Sequence, residues 1–383
     1  MKKNLGRVGM IILVMVFTVL LFNAGPSAWA QSKPAILIGL LNDLSGPAAA
    51  PGKSFQAGIE DALQWLNAKG GIMGHPIKAV TVDTRFEVPL SLQGYQKLVK
   101  QDKVKAIVVL ATVAAIVNKK NINKDKMPTI MGFDMGTLLP FEGSSIFSGI
   151  PHNSQRGAGG LVWIKNSWKK SSLPRIGLHH WESSSGYEFA RGMQYWMNKM
   201  GMGKPAIVTS AKMGSVDYTT QIIKLKDANL NYLFSYDIAL GLFKDFARLG
   251  LKDKTKIIDL AALSNEMLPE VLGDAAKGIY NISEYANWFE ADVPGIKLMR
   301  DMNAKSHPKV RRRGDWYILG WTAGMTFQQT FESVLKDAGF QGLTGENIVK
   351  ALESKAIDTM GITGSPIKHN HGRHDNSLHV PSP

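Results

Sequence analysis

Ala35-Ile36-Leu37-Ile38-Gly39-Leu40-Leu41-Asn42, followed by Asp43-Leu44-Ser45-Gly46-Pro47, is the stretch on which the fold turns. Its first eight residues form an almost unbroken apolar run of strand length. A strand without a polar face is one covered on both sides, as in a parallel sheet. Ser45-Gly46-Pro47 then turns the chain, and Phe55, Ile59, Ala62, Leu63 and Leu66 recur at the spacing of one helix face. Gly70-Gly71 ends that helix, because glycine enters the left-handed conformation of a C-terminal cap without a Cβ penalty. Strand, turn and amphipathic helix in this order make the repeating unit of an α/β fold.

Outward from this unit the alternation continues. Apolar runs predict strands at 77–82, 106–110, 129–132 and 145–150, with helices at 88–101 and 113–124 between them. A second series begins after a loop at 151–155. Its predicted strands are 175–179, 205–209, 232–236 and 256–260, with helices at 185–200, 217–226, 238–249 and 265–272. After Gly278 the alternation is lost. Two mostly helical stretches follow, 291–304 and 315–337, and Tyr317, Trp321, Gly324, Phe331 and Leu335 share one face of the second, as a core helix would place them. Short segments at 345–353, 359–363 and 365–368 close the chain, and no short-period repeat is visible.

Lys2, Lys3 and Arg7 precede an apolar run from Met10 to Phe22, and Ala28-Trp29-Ala30 follows a polar stretch. Positive end, short apolar segment and small residues at alternate positions are the parts of a secretory signal peptide over residues 1–30, with cleavage after Ala30. The run is shorter than the roughly 18 to 20 residues that span hydrocarbon, and no later segment is long and apolar enough. The chain has no cysteine, which excludes a lipid-modified cysteine and any disulfide, so the core alone must hold the fold. The 383 residues carry a net charge of +14; without Lys2, Lys3 and Arg7, 42 cations stand against 31 acids, +11. Only Arg311 to Arg313 form a tight basic run and no aromatic-interleaved stripe is present, so the cations read as solvated faces and no nucleic-acid partner is expected.

The constellations that chemistry requires are missing. Gly157-Ala158-Gly159-Gly160 lacks the third glycine of a dinucleotide fingerprint, Gly201 to Lys204 is too short for a phosphate loop, and Ser185-Gly186 lacks the spacing of a nucleophile elbow. His369, His371, His374 and His379 sit in a Gly/Asn/Asp-rich tail with no thiolate beside them; they read as solvated, and neither metal nor cofactor is expected. His179-His180 with Trp181-Glu182 is the remaining enzyme-like cluster. Its place at the carboxyl end of a strand, where α/β sheets hold ligands, equally suits the border of a binding cleft.

Leu44-Ser45-Gly46-Pro47, Gly52, Gly58, and Leu66-Asn67-Ala68-Lys69-Gly70-Gly71-Ile72 with Gly74 together resemble the leucine/isoleucine/valine-binding protein family, the type I periplasmic receptors of branched-chain amino acid ABC transporters. Phe246 to Leu251, Gly273 to Gly278 and Gly320-Trp321-Thr322-Ala323 extend the resemblance over nearly the whole mature chain. It implies an α/β protein of two doubly wound parallel-sheet lobes joined by a three-crossover hinge. The first lobe would comprise residues 34–152 plus 284–364, the second 153–283 plus 365–383, with crossovers near 151–155, 281–284 and 364–367. The sequence stops at Pro381-Ser382-Pro383, where relatives commonly continue, which implies abbreviated final strands in the second lobe.

Carried over residue by residue, the resemblance implies ligand contacts at Ser45 and Pro51 in the first loop, Ala111 and Thr112 after the third strand, and Asp134, Met135 and Gly136 after the fourth. In the second lobe it implies Ser185, Tyr187, Tyr236, Asp237 and Ala261. Ala261 departs from the pattern, since amino-acid binders of the family carry a glutamate there that pairs with the ligand's ammonium. Either Asp237 or Asp134 supplies the lost charge, or the ligand lacks an α-amino group, because an unpaired buried ammonium costs several kcal/mol. The function implied is a non-catalytic, monomeric periplasmic receptor that captures an amino acid or a related small carboxylate or amide and delivers it to ABC permease subunits. A ligand-sensing subunit of a membrane signalling receptor and a secreted hydrolase working through His179 or His180 and Glu182 are the alternatives.

Overall fold

A computed structural model of the chain describes residues 33–132, 144–149, 153–212, 214–237, 240–260, 268–363 and 366–368. The signal segment lies outside them. Strands β1 (Ile36–Asn42), β2 (Ile77–Asp83), β3 (Ala106–Val109), β4 (Thr129–Met131) and β5 (Ile146–Ser148) form one sheet in the order β2-β1-β3-β4-β5. Strands β6 (Ile176–Trp181), β7 (Ile207–Ala211), β8 (Tyr232–Tyr236), β9 (Lys256–Asp259) and β10 (Ile279–Asn281) form the second, in the order β10-β9-β8-β6-β7. Every pairing in both sheets is parallel. Counted from its own first strand, each sheet has the doubly wound order 2-1-3-4-5, so each has a switch point between its first and third strands.

The apolar character of β1 follows from cover on both faces. Ile36, Ile38 and Leu40 lie against Phe55, Ile59 and Leu63, whereas Leu41 joins Tyr95, Leu98 and Ile107 on the opposite face. The second sheet alternates likewise, with Leu178, Phe234 and Ile258 on one side and Leu233 and Ile257 on the other. The expected helix over 88–101 is an α-helix, Val88–Gln96, that widens into a π turn, Lys97–Gln101, and the fully buried Leu98 of that turn lies against Gly39 of β1. Strand β7 falls two residues later than its apolar run predicts, and β10 was not expected at all. Both are sheet edges, half covered and exposing Val208 and Tyr280, so their alternation is weak.

The late helices return to the first sheet. Helix Asp315–Ala338 lies against helix Ala49–Ala68, and two glycines set the distance. A Cβ on Gly58 would come within 2.0 Å of the Tyr317 carbonyl oxygen, and one on Gly320 within 2.1 Å of that of Phe55. The later helix is buried on more than the one predicted face, since Ile318, Leu319, Met325 and Phe327 are covered as well. Where the chain passes between the sheets, Arg156 meets Glu284 (Nε to Oε2, 2.9 Å) and donates to the Ile282 carbonyl (2.9 Å) and to Asn153 Oδ1 (3.1 Å). Tyr285 bridges to Thr363, and β11 (Ala356–Ile357) pairs antiparallel with β12 (Ile367–Lys368).

Candidate ligand cleft

Both switch points open onto one cleft. On the first sheet, β3 leads through Ala111, whose backbone is extended (φ −81°, ψ 131°), into helix Thr112–Lys124, and no side chain caps that helix. Thr112 is its first residue, only 7% exposed, and its Oγ1 is buried without a hydrogen-bond partner. On the second sheet, β6 leads into helix Ser184–Lys199, which Ser183 caps by accepting from the Gly186 amide (3.1 Å); the Ser183 and Ser185 hydroxyls lie 3.0 Å apart. Gly186 permits this close start, because a Cβ there would sit 2.1 Å from the Trp181 carbonyl oxygen.

Phe86, Thr112 and Val113 on one side and Trp181, Glu182, Ser183, Ser184 and Ser185 on the other line a cavity of about 180 Å³. Two helix N-termini therefore meet across it, each with backbone amides free of intrahelical partners and the positive end of a helix dipole. Hydroxyls accompany them. Such a constellation accepts an anion, a carboxylate above all.

Phe86 reaches the cleft from a constrained loop. Arg85 and Phe86 both take left-handed backbone conformations (φ 52° and 63°), roughly 1–2 kcal/mol each for a residue with a Cβ. Two carboxylates hold them there. Asp43 Oδ1 accepts from Thr84 Oγ1 (2.5 Å) and the Phe86 amide (2.6 Å). Asp83 accepts from Ser45 Oγ (2.6 Å) and from the amides of Leu44 (2.9 Å) and Arg85 (3.1 Å). Burial pushes the Asp43 carboxyl above its ordinary range. Burial works in the same direction on Asp83, but the hydrogen bonds from Ser45, Leu44 and Arg85 outweigh it and hold that carboxyl below the usual value.

Of the ligand contacts that the resemblance implies, Thr112 and Ser185 are brought together in the cleft, and Trp181 and Glu182 of the enzyme-like cluster line it as well. Ala111 is the buried residue before the helix, and the Ser45 hydroxyl is turned to Asp83. Pro51 is buried in the first helix beside Gly52, where a Cβ would meet the Asp43 carbonyl oxygen at 1.7 Å. Tyr236 lies under the cleft floor, edge-on to Trp181 (5.8 Å between centroids) and beside Phe189 (5.2 Å), with its hydroxyl accepting from Asn153 Nδ2 (3.0 Å). Asp237 Oδ2 is engaged by His179 Nε2 (3.1 Å) and the Tyr218 hydroxyl (3.0 Å), and His179 Nδ1 meets Thr209 Oγ1 (2.9 Å). Burial and the Asp237 charge together push the Tyr218 hydroxyl far up.

His180 bonds the Trp181 carbonyl through Nδ1 (2.8 Å), and burial pushes its pKa down, which keeps it neutral. Tyr187 lies edge-on to His180 and is 48% exposed. Asp134, Met135, Gly136, Ala261 and the four C-terminal histidines lie outside the described residues. Phe86, Val113, Ser183 and Ser184 were not anticipated. Thr84-Arg85-Phe86-Glu87 contains no glycine, proline or asparagine to announce a turn, so Phe86 carried no signal of its own.

A family model described as a periplasmic binding protein matches residues 35–379, and the chain belongs to that family. The family consists of non-enzymatic solute-binding proteins that work with ABC transporters. The Leu/Ile/Val-binding protein of Escherichia coli (strain K12) is 24% identical over 333 residues, covering 85% of this chain and 84% of that protein. Among solved structures, a branched chain amino acid ABC transporter from Thermus thermophilus with bound valine superposes with a TM-score of 0.80 at 19% identity, covering 90% of this chain and 91% of that one. A solute binding protein of an ABC transporter from R. palustris in complex with benzoate gives a TM-score of 0.73 at 17% identity, covering 89% and 91%.

Proposed function

We propose that this chain is the periplasmic receptor of an ABC importer and that it captures a small carboxylate, an amino acid or a relative of one, in the cleft between its sheets. The observation that carries this reading is the buried, unpartnered hydroxyl of Thr112 at one helix N-terminus, facing the serine-capped N-terminus of another. Residues 34–152 plus 284–364 act as one lobe and residues 153–283 plus 365–383 as the other, moving about the segments where Arg156 and Glu284 meet. Thr112 on one lobe and Ser185 on the other touch the same ligand only when the lobes are closed. Binding energy therefore shifts the population toward closure, and the permease reads the closed surface. The receptor is exported by a signal peptide cleaved after Ala30, acts as a monomer and has no nucleic-acid partner.

Isothermal titration of protein unfolded, freed of bound solute and refolded tests the reading against amino acids, aliphatic and aromatic acids, and amides. Thr112→Ala is expected to weaken the best carboxylate by about 1.5–3 kcal/mol, the range for a hydrogen bond to a charged group, with the melting temperature nearly unchanged. Absence of binding across the whole panel overturns the proposal.

A further inference from the structure

We propose that the far end and outer edge of the second sheet carry a docking surface for an anionic phospholipid bilayer, built from lysine–aromatic pairs where helices Asn153–Ser167 and Ser184–Lys199 end. This goes beyond the receptor reading and does not depend on it. Both helices cover the same face of the sheet, with Leu161 and Ile164 of one and Phe189, Met193 and Met197 of the other turned inward. What surrounds their C-terminal halves on the outside is large and apolar: Trp163 and Tyr280 are each 39% exposed, Tyr195 and Leu173 each 58%. Ammonium groups lie over these rings. Lys256 Nζ stands 5.8 Å from the Trp163 ring centre and 5.5 Å from that of Tyr280, Lys199 Nζ 4.9 Å from Trp196 and 5.7 Å from Tyr195, and Lys170 Nζ 5.3 Å from Trp168. The buried Tyr232 meets both Trp163 (6.1 Å) and Trp168 (6.0 Å) edge-on, and Lys165 joins the two helices by donating to the Met200 carbonyl (3.3 Å).

The charge around these rings is of one sign. Residues 157–181 and 189–216 contain no Asp or Glu, and Asp253, the exposed acid nearest Lys256 in sequence, stands between Lys252 and Lys254. Lys165, Lys170, Lys199 and Lys256 have no ion-pair partner among the described residues. An aromatic ring with an ammonium beside it is the unit that occupies the headgroup level of a bilayer, because the ring enters the interface while the lysine stem lies along it and its charge meets phosphate. Lysine is a mobile point charge, so these pairs suit a fluid array of phosphates better than one fixed set of carboxylates. Arg175, whose fork would favour a fixed acceptor, is already engaged by the Ala228 carbonyl. The surface leaves the cleft uncovered, since Tyr232 sits opposite Ile176 at the start of β6, whereas Trp181 ends that strand at the cleft, roughly 16 Å away. A receptor held here stays open to solute beside the membrane that carries its permease.

The test mixes the mature protein, freed of residues 1–30 so that their apolar run takes no part, with vesicles of phosphatidylglycerol and phosphatidylethanolamine or of phosphatidylcholine alone, and reads co-sedimentation at about 50 mM and about 500 mM salt. The variants are Lys170→Glu with Lys199→Glu, Trp163→Ser with Tyr280→Ser, and, as a control of equal charge on exposed positions of the late helices, Lys336→Glu with Lys350→Glu. Circular dichroism melts verify folding. Wild type is expected to bind the anionic vesicles about tenfold or more tighter than phosphatidylcholine and to release them at high salt, both surface variants to lose about tenfold, and the control to stay within about twofold. No wild-type binding, equal binding to phosphatidylcholine, an equal loss in the control, or a folded aromatic variant that binds as wild type does overturns the proposal. So does a dimer in sedimentation equilibrium that Trp163→Ser with Tyr280→Ser dissolves while vesicles are ignored, which gives the surface to a second copy. Where the aromatic variant does not fold, the charge variant against its control decides.

Discussion

Thr112 and Asp237 occupy equivalent places, each just beyond the third strand of its own sheet, yet only the first lines the cleft. Asp237 binds His179 and Tyr218 instead. Asp237→Ala is therefore expected to act on stability, by roughly 1–3 kcal/mol for each buried donor left without an acceptor, as urea titration would read. His180 gives a pH signature. Its folded pKa lies below the unfolded value of 6.5, so the unfolded chain binds more protons and stability is full above that value and falls as pH drops through and below it. His180→Gln should flatten this part of the stability profile, measured as melting temperature between pH 7.5 and 5. The switch loops were legible in the sequence, because apolar runs mark where strands end. Which polar groups were already satisfied was not: the partners of Asp237 stand 58 and 19 residues away, and that of Ser45, 38.

Among the elements, helix Ala49–Ala68 and helix Asp315–Ala338 show how far sequence reading carries. Both were foreseen from 3.6-residue periodicity, and Gly58 and Gly320 stood out in the pattern. Their reason emerges only when the two helices meet, since each glycine is the site at which the other helix's backbone approaches. Gly58→Ala and Gly320→Ala should each destabilise by at least about 1–3 kcal/mol, despite the better helix propensity of alanine. A lowered urea midpoint with unchanged slope is the expected reading, and a stabilised alanine variant would contradict the close approach. Of the edge strands, β2 and β5 fell close to their expected places, whereas β7 and β10 of the second sheet were less legible, because a strand with a neighbour on one side only needs a weaker apolar pattern.

At the scale of the molecule, two parallel sheets could be read from the order of strands and helices and the resemblance put crossovers near 151–155 and 281–284, whereas the ion pair beside them could not be read. Arg156 and Glu284 are 128 residues apart and form a buried ion pair where the chain passes from sheet to sheet, each side chain 9% exposed. Burial opposes the Arg156 charge, but Glu284 and Asp315 outweigh it. Glu284→Gln, which leaves that cation without its closest counter-charge, should cost about 3–5 kcal/mol, whereas Arg156→Met with Glu284→Leu should cost far less, since both charges leave together. Melting curves of the single and double variants check the coupling.

The contact between the early and late helices also dictates an order of events. Each sheet is assembled from one continuous stretch of chain and can pair as soon as that stretch has emerged. Gly58, Ala62 and Trp65, on the face of the first helix turned away from β1, have no such local rescue, because the helix they meet arrives more than 240 residues later. A growing chain thus carries a greasy stripe through most of its synthesis, and an escort that holds it until Trp321 docks would serve this protein more than any help with its strands.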